Sequence, residues 1–346
     1  MGREAKRPMT PLRPARVAAR LVVLTTLALA ACDDAPVEPP PAPEVTWTLE
    51  PAEATVEIGF TRQFQLVAED GASDGDPGRI GWFTSDWEVA RVGSVSGLVT
   101  ARSPGRAVIA ARGLDPGSTL EASAPVEVPP LRFRQLSPGG TYTCGVTESD
   151  RAYCWGDGFV GKLGDGAERT RLTPGPVAGG LEFRSVSARY RHTCGLTLDG
   201  AAYCWGKNSA GKLGNGEDEQ VVVPTPVRVK TELRFASIHV GGWFTCALTS
   251  DGRAYCWGRN NEGSIGDGTT TSRLVPTPVS GGHRFDTLSA GGLQVCGITP
   301  EDRAYCWGDN AYGQLGDGSF SQRTTPTEVA GDLRFRSIAA SGSQTC

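Results

Sequence analysis

A repeat of about 50 residues fills the C-terminal part of this 346-residue chain and restricts its fold more than any other feature. The first cysteines of successive units are 50, 52, 50 and 50 residues apart, at Cys144, Cys194, Cys246, Cys296 and Cys346. Four complete units then carry Ala-Tyr-Cys-Trp-Gly, followed by Gly-x-(Leu/Ile)-Gly-(Asp/Asn)-Gly. Such regularity indicates stacked structural repeats rather than one irregular domain.

Each unit consists of short strands and turns. The chain has 46 Gly and 24 Pro but only 2 Met, and no stretch outside the N-terminus shows the apolar period of an amphipathic helix. A repeat of this length made of strands matches one four-stranded blade of a β-propeller. The fold class predicted for the whole chain is therefore all-β.

Two motifs of the repeat resemble the regulator of chromosome condensation repeat family. Trp-Gly follows the second cysteine of each complete unit, and Leu-Gly-Asp-Gly or a variant of it comes soon after. The resemblance covers residues 131–346. Members of this family usually close a ring of seven blades, so four units and the start of a fifth imply an incomplete propeller in a fragment of a longer protein.

The hairpin between the two cysteines of a unit predicts how they pair. A two-residue loop would place Cys246 opposite Trp257, whereas a three-residue loop with Gly252 in a left-handed bulge places it opposite Cys256. That second register is a non-hydrogen-bonded site, where Cα atoms approach closely enough for a disulfide. The predicted pairs are Cys144–Cys154, Cys194–Cys204, Cys246–Cys256 and Cys296–Cys306, with Asp150, Gly200 and Asp302 at the equivalent bulges.

Zinc binding and free thiols are the alternatives to disulfides at these cysteines. Zinc-ligand pairs normally stand roughly two to four residues apart, and no His recurs beside the cysteines of each unit. Disulfides are therefore favoured.

Residues 45–129 predict a second domain. Short alternating segments recur between turn residues, which is typical of a two-sheet sandwich. The seven segments are 45–49, 61–68, 80–84, 89–92, 97–101, 106–111 and 122–128. The string from Trp82 to Val92, with Gly-Leu-Val-Thr-Ala and Gly-Arg-Ala-Val-Ile-Ala after it, resembles the group 2 bacterial Ig-like domain. That resemblance implies a spacer or adhesion module.

The N-terminus has the pattern of an export signal. Arg-rich residues 1–20 precede an apolar run of about eleven residues, too short to span a bilayer. Leu29-Ala-Ala-Cys32 resembles the lipobox of bacterial lipoproteins, so residues 1–32 are predicted as a lipoprotein signal peptide with Cys32 as the lipidated residue. An ordinary secretory signal cleaved after Ala31 is the alternative. Residues 33–44 hold five prolines and predict an extended linker.

These features predict the location of the protein. A lipid on Cys32 would anchor the chain to a membrane of the cell envelope, with the domains facing away from the cytoplasm. An oxidising exterior is also where disulfides persist.

The charge distribution argues against nucleic acid as a partner. Residues 1–20 contain six of the 34 basic residues and one of the 38 acidic residues, which leaves 28 basic and 37 acidic side chains beyond them. A protein that binds phosphate backbones needs a basic surface, and this composition has an acidic surplus.

Several motifs have the spacing of catalytic or ligand sites but lack the required context. Residues 71–75 read Gly-Ala-Ser-Asp-Gly, yet Asp-Pro-Gly follows where a nucleophile elbow needs a helix. Residues 156–161 satisfy G-x-G-x-x-G, but the other units lose the second glycine, which favours a turn. Asp70, Asp74 and Asp76, and the repeated Gly-Asp-Gly, could bind cations, although a solvated loop and tight turns are favoured.

No catalytic residue, metal site or cofactor is predicted. The histidines of the chain, His192, His239 and His283, lie at different repeat positions and have no nucleophile beside them in the sequence. The chain is accordingly predicted not to be an enzyme.

Variable residues at the blade loops are the candidate binding residues. Exposed aromatic and arginine side chains often anchor recognition, and the candidates are Phe159, Arg191, Trp243, Phe244 and Tyr312. Packing between blades is the alternative for each. The leading hypothesis is a surface protein that binds an extracellular protein or glycan. Guanine nucleotide exchange, implied by the family resemblance, and an extracellular propeller hydrolase or lyase are the alternatives.

Lipidation of Cys32 is directly testable by metabolic labelling with a fatty acid. We expect label in the wild-type chain and none in Cys32→Ala, because the diacylglycerol is attached to the sulfur of that residue. Label that persists in Cys32→Ala would contradict the anchor.

Overall fold

The computed structural model describes residues 45–69, 78–218 and 221–346. Its regular structure is all-β apart from one turn of 3₁₀ helix at Phe159–Gly161. Cys32, the linker 33–44 and the loop that holds Asp70, Asp74, Asp76 and the Gly-Ala-Ser-Asp-Gly motif lie outside the described residues. Over the described ranges no helix has the length and apolar character needed to cross a bilayer.

The first domain is a β-sandwich. Its strands are β1 (Trp47–Glu50), β2 (Ala54–Thr55), β3 (Thr61–Gln63), β4 (Gln65–Ala68), β5 (Ile80–Thr84), β6 (Ala90–Val92), β7 (Leu98–Ala101), β8 (Gly105–Gly113) and β9 (Glu121–Val128). One sheet has the order β2-β9-β8-β5, and β3-β7-β6 and the pair β1-β4 face it. Phe64, Trp82 and Ile109 are among the buried side chains of the core.

The sandwich differs from the seven predicted segments at β2, which lies outside all of them, and at residues 61–68. These residues form two strands, because β3 pairs with β7 while β4 pairs with β1. Phe64 lies at the change of partner; its side chain is buried and its N–H donates to the Gly97 carbonyl at 3.0 Å. The alternation of apolar and polar residues in the sequence does not reveal that β3 and β4 pair with different strands, because both strands have the same period of two residues.

Four four-stranded antiparallel sheets follow, one for each complete repeat, and we number them as blades 1 to 4. Blade 1 contains β10 (Phe133–Pro138), β11 (Tyr142–Thr147), β12 (Ala152–Gly156) and β13 (Arg171–Pro176). Blade 2 contains β14 (Phe183–Arg189), β15 (His192–Thr197), β16 (Ala202–Asn208) and β17 (Val221–Arg228). Blade 3 contains β18 (Phe235–Val240), β19 (Phe244–Thr249), β20 (Ala254–Gly258) and β21 (Arg273–Pro278). Blade 4 contains β22 (Thr287–Ala290), β23 (Gln294–Ile298), β24 (Ala304–Gly308) and β25 (Arg323–Glu328), and the pair β26 (Ala340–Ser341) and β27 (Gln344–Thr345) begins a fifth unit.

The strand order within each blade follows the chain, and the sequence explains which strand is at the edge. The fourth strands carry the repeated prolines, which cannot donate to a ladder and so suit an edge. The first strands of successive blades contact one another. The Arg189 side chain donates from blade 2 to the Ala290 carbonyl of blade 4 at 3.2 Å, which shows how closely the first strands converge.

The cysteine hairpins have the register that the three-residue loop predicts. Cys246 lies opposite Cys256, the Thr249 N–H donates to the Arg253 carbonyl at 3.0 Å, and Gly252 has a φ of +79°. The equivalent residues Asp150, Gly200 and Asp302 also have positive φ, at 62°, 82° and 61°. Each predicted pair is joined as a disulfide, with Cα atoms 4.0 to 4.1 Å apart.

Neighbouring blades are held together by repeated contacts. Trp205 is fully buried, and its indole N–H donates to the Lys162 carbonyl of the preceding blade at 3.0 Å. Trp307 makes the equivalent bond to the Ser264 carbonyl, also at 3.0 Å. The Ser137 hydroxyl accepts from the Ala188 N–H of blade 2 at 2.9 Å. Trp257 of blade 3 is fully buried as well, but its indole N–H has no hydrogen-bond partner among the described residues, so the burial recurs in blades 2 to 4 and the hydrogen bond in blades 2 and 4.

The sandwich packs directly on blade 1. The Tyr153 hydroxyl donates to the Ile58 carbonyl at 2.9 Å, and its ring meets Phe60 edge-on with centroids 6.3 Å apart. The Arg151 guanidinium lies 5.3 Å from the Phe60 ring. Burial raises the pKa of Tyr153, and the nearby Glu57 carboxylate raises it further, so the hydroxyl stays a donor.

Loss of one hairpin disulfide should lower the free energy of unfolding by about 2 to 3 kcal/mol, because closing a loop of about ten residues restricts the unfolded chain by that amount. The double variant Cys246→Ala/Cys256→Ala tests this by chemical denaturation without leaving a free thiol. Non-reducing peptide mapping of the wild-type chain checks the pairing. Cys144 bonded to any residue except Cys154 would contradict the register.

A candidate site at the rim between blades 2 and 3

Two variable positions of each repeat meet at one end of the blade. The residue before the second strand accepts a backbone hydrogen bond from the residue after Trp-Gly, because those strands pair as a hairpin. The N–H of Lys207 donates to the Arg191 carbonyl at 2.9 Å, and that of Arg259 donates to the Trp243 carbonyl at 3.0 Å. Side chains that are far apart in sequence are thereby placed side by side at the rim.

Trp243 lies over a buried lysine from blade 2. The Lys212 Nζ is 5.1 Å from the centroid of the Trp243 ring, and the Arg259 guanidinium is 5.8 Å from it. Arg259 also pairs with Glu262 at 2.7 Å. Trp243 keeps 36% of its surface exposed. The ring thus covers one cation, contacts a second and still presents an apolar surface to solvent.

Lys212 is the unusual residue of this rim. Its side chain is fully buried, and its Nζ has no hydrogen-bond partner in the part of the chain that the structure describes. Burial, together with the positive charges of Arg191 and Lys207, lowers the pKa of Lys212 to about 7. Near neutral pH the amine is therefore divided between its charged and neutral forms.

The equivalent positions of the other blades satisfy their polar groups. In blade 1, Lys162 Nζ donates to the Asp157 carboxylate at 2.7 Å and to the Thr141 hydroxyl at 3.0 Å. In blade 4, the Gln314 amide donates to the Asp309 carboxylate at 2.8 Å. In blade 3, the Ser264 hydroxyl donates to the Leu293 carbonyl at 2.6 Å. Blade 2 alone among the four has a lysine, Lys207, where blade 1 has Asp157.

His192 lies beside this cluster and is buried. Burial lowers the pKa of His192 well below its usual value, and the charge of Lys212 lowers it further. Its Nε2 is 3.0 Å from the Thr245 hydroxyl of blade 3, while its Nδ1 has no hydrogen-bond partner within the described ranges. A neutral imidazole in this position links two blades and adds no charge to the rim.

The structure separates the five predicted binding residues. Trp243 lies against Lys212, and Arg191 is near enough for its charge to lower the pKa of that lysine. Phe159 on blade 1 is 57% exposed, and Tyr312 on blade 4 is 77% exposed, each on a different blade from that cluster. They remain candidates as single exposed aromatic side chains.

The prediction for Phe244 is wrong. Its side chain is fully buried and belongs to a core cluster with Phe285 and Trp307. Phe244 begins β19, and successive side chains of a strand point to opposite faces, so its neighbour Trp243 faces outward while Phe244 faces the core. The sequence marks both as variable and aromatic, and only the start of the strand distinguishes them.

Asparagine and aspartate side chains of the repeat have a structural role that the motifs in the sequence did not predict. The buried side chains of Asn208, Asn260 and Asn310 accept from the N–H groups of Leu213, Ile265 and Leu315 at 3.3, 2.8 and 3.0 Å. Their recurrence in three units was the available signal. Asp165, Asp267 and Asp317 of the Gly-Asp-Gly motif form ion pairs with Arg171, Arg273 and Arg323.

Comparison with known domain families identifies both parts of the chain. Residues 199–248, 251–297 and 301–346 match the Regulator of chromosome condensation (RCC1) repeat, and a second form of that repeat matches 183–212, 235–264 and 286–314. Residues 45–113 match the Bacterial Ig-like domain (group 2). The chain therefore carries RCC1 repeats preceded by a group 2 bacterial Ig-like domain, which confirms both resemblances.

The relatives of the chain share the propeller. The ultraviolet-B receptor UVR8 of Arabidopsis thaliana is 32% identical over 151 residues, which are 43% of this chain and 34% of the receptor. The chain thus spans about a third of the length of that relative. The crystal structure of Prp20p from Saccharomyces cerevisiae superposes with a TM-score of 0.56 at 21% identity, covering 70% of this chain and 66% of Prp20p. Human WBSCR16 gives 0.57 at 14% identity, covering 86% and 85%. The two superpositions show a shared fold, and at identities this low they show the fold alone.

Replacing Lys212 should change how stability depends on pH. The pKa is about 7 in the folded chain and 10.5 for an unperturbed lysine. Between these two pH values the unfolded state binds more protons than the folded state, so the contribution of Lys212 makes the free energy of unfolding rise with pH. Below pH 7 the charged amine is buried, and there Lys212 lowers the free energy of unfolding the most. Lys212→Met should raise the free energy of unfolding at pH 6, by on the order of 1 to 3 kcal/mol, and the gain should shrink towards pH 10.

Lys162→Met is the matched control for that measurement, made by denaturant titration across the same pH range. It leaves Asp157 without its partner, so it should lower stability where Lys212→Met raises it. A Lys212→Met variant that is less stable than the wild type at pH 6 would contradict the unpartnered state of the amine.

Proposed function

We propose that this chain is a non-catalytic lipoprotein of the cell envelope that binds a protein partner through the rim of its propeller, with the Ig-like domain as a spacer. The observation that carries the proposal is the cluster of Arg191, Lys207, Lys212 and Trp243 at the rim between blades 2 and 3. An aromatic surface beside arginine is the composition that recurs at the energetic centres of protein interfaces.

The relatives support binding as the role of the propeller. Prp20p was characterised together with its binding to Gsp1p and histones, and the plant relative is a receptor. Among the described residues no cluster of three His, Cys, Asp or Glu side chains suited to a metal ion is present. The histidine beside the rim, His192, is buried and bonded to Thr245, an arrangement that suits packing rather than proton transfer.

The envelope location rests on the N-terminal sequence and on the cysteines. The lipobox-like sequence that ends at Cys32 would fix the chain to a membrane. Four buried disulfides at one position of the repeat suit an oxidising compartment. The hydrogen bond from Tyr153 to Ile58 would keep the propeller docked on the sandwich, as a spacer domain requires.

Site-specific photo-crosslinking in intact cells tests the proposal. A photoreactive amino acid in place of Trp243 should give an adduct with a second protein in the membrane fraction. The matched control replaces Leu172, which is 92% exposed on the edge strand of blade 1, away from the rim cluster. Equal adducts from both positions, or none from Trp243, would contradict binding at the rim, and a chain found only in the cytosolic fraction would contradict the location.

A further inference from the structure

The contact between the sandwich and blade 1 shows what the surface of a blade can bind. The Tyr153 hydroxyl donates to the Ile58 carbonyl at 2.9 Å. Phe60, two residues further on, meets the Tyr153 ring edge-on and lies 5.3 Å from the Arg151 guanidinium. Tyr153 is completely buried there. A tyrosine and an arginine of the blade thus hold a carbonyl group and an aromatic ring of one turn.

A proline completes this surface and requires glycine in the turn. Tyr153 pairs with Pro176 across β12 and β13. Gly59 lies against that proline with a φ of +84°, and a Cβ added at residue 59 would come within 2.6 Å of the proline ring. Glycine adopts this conformation at no steric cost and leaves room for the proline. The turn bound by blade 1 therefore consists of an aliphatic residue, a glycine and an aromatic residue in succession.

Blade 3 carries the same three residue types in the same register. Arg253, Tyr255 and Pro278 take the places of the arginine, tyrosine and proline of blade 1. Tyr255 pairs with Pro278 across β20 and β21. In blade 3, however, this tyrosine is half-buried and the proline is exposed. The three side chains line a cleft of about 100 Å³, which we call the blade 3 cleft.

The other two complete blades lack this combination of residues. Blade 2 has alanine in place of the arginine and Arg228 opposite its tyrosine. Blade 4 keeps the arginine, Arg303, but has Glu328 opposite Tyr305, and this glutamate pairs with Arg303. The ring of His283 also lies on Tyr305, with centroids 4.3 Å apart. Arginine, tyrosine and proline therefore occur together in blades 1 and 3 alone among the four.

The ion pair of Arg253 is compatible with binding an aromatic ring. Its Nε is 2.8 Å from the Asp251 carboxylate, and 56% of the arginine side chain is exposed. Arg151 likewise pairs with Glu182 at 3.6 Å while it contacts the ring of Phe60. A planar guanidinium can present its face to a ring while its edge donates to a carboxylate.

We propose that the blade 3 cleft binds a turn of a second protein, composed of an aliphatic residue, a glycine and an aromatic residue, in the way that blade 1 binds residues 58–60. In this complex Tyr255 donates to the carbonyl before the glycine, Pro278 packs on the glycine and Arg253 lies over the aromatic ring. The cleft is at the end of β20 remote from Arg259. It is therefore a second interface, separate from the rim that carries the proposed function.

The occupant is a different protein because the turn of this chain is already bound. Blade 1 of the same molecule holds residues 57–60, and residues 129–132 are a short connection between β9 and β10 that keeps the two domains together. Such a connection gives the internal contact a high effective concentration. A second copy would have to give up this contact to form the one at blade 3, whereas a partner with a free turn gives up nothing.

A short peptide is the probe for the blade 3 cleft. It has the sequence of residues 56–61, Val-Glu-Ile-Gly-Phe-Thr, with a fluorinated phenylalanine at the aromatic position. The transverse relaxation rate of its fluorine NMR signal should rise when the full chain is added in a nonionic detergent. The dissociation constant should be on the order of 1 mM, because a free turn must be ordered when it binds.

The matched control is the same peptide with alanine in place of glycine, which should not bind because its methyl group would meet the proline. No binding of the glycine peptide, or equal binding of both peptides, would overturn the proposal.

Pro278→Arg is the decisive variant of the chain. It gives blade 3 the residue that blade 2 has in this register, Arg228, so the fold already accommodates the change. It should weaken binding of the glycine peptide about tenfold or more, because the packing surface for the glycine is lost. Leu172→Arg adds the same charge to the exposed edge strand of blade 1 and should alter affinity by less than about twofold.

Tyr255→Phe tests the hydrogen bond alone. It should weaken peptide binding about fivefold, the effect of one hydrogen bond. Tyr203→Phe makes the same change in blade 2 and should leave binding unchanged. Unchanged binding in Pro278→Arg, or equal losses in the two tyrosine variants, would show that the peptide binds elsewhere and would overturn the proposal.

Two further results decide the partner and the independence of the cleft. Sedimentation of the chain without peptide should give the same mass for the wild type and Pro278→Arg; a dimer that only the wild type forms would make a second copy the occupant and overturn the assignment to a different protein. The crosslink from position 243 should persist in Pro278→Arg. Its loss would mean that cleft and rim form one interface, and the separate site would fall.

Discussion

The three-residue turn of the cysteine hairpin fixes the register on which the rest of each blade depends. A side chain period of two means that a shift of one residue would send every second-strand residue to the opposite face. Asp or Gly in a left-handed conformation at the bulge prevents that shift, as at Asp150 and Gly252. The same register brings Cys246 opposite Cys256 and sends Phe244 into the core, so cross-link and core packing follow from one turn.

Register within a blade also determines how blades join. Because Trp205 lies immediately after the second cysteine of its hairpin, its ring is directed at the preceding blade and its N–H meets the Lys162 carbonyl. The side chain of that same Lys162 extends towards the rim, where its Nζ donates to Asp157. The backbone at Lys162 therefore serves both the packing between blades and the chemistry of the rim. Side chains at the rim can vary only where the hydrogen bond from Trp205 to the Lys162 carbonyl is preserved.

The sequence predicts features that repeat and fails at features that occur once. The disulfide register, the bulges and the blade size could be predicted because the sequence pattern for each occurs in four complete repeats. The partner change at Phe64, the burial of Phe244 and the isolation of Lys212 could not, since each depends on a neighbour distant in sequence. Lys212 occupies the same motif position as Lys162; the difference lies at Lys207, five residues earlier, and alignment of the units shows it only once the contact between the two positions is known.

The contact between Tyr153 and Ile58 gives blade 1 a role within the chain that blades 2 to 4 do not have. Tyr203, Tyr255 and Tyr305 occupy the same place in their blades, but in the described residues only Tyr153 has its hydroxyl covered by the sandwich. The side chain that docks the sandwich is therefore one that every complete repeat already carries. A blade copied to the N-terminal end of such an array would bring with it the tyrosine that holds the Ig-like domain.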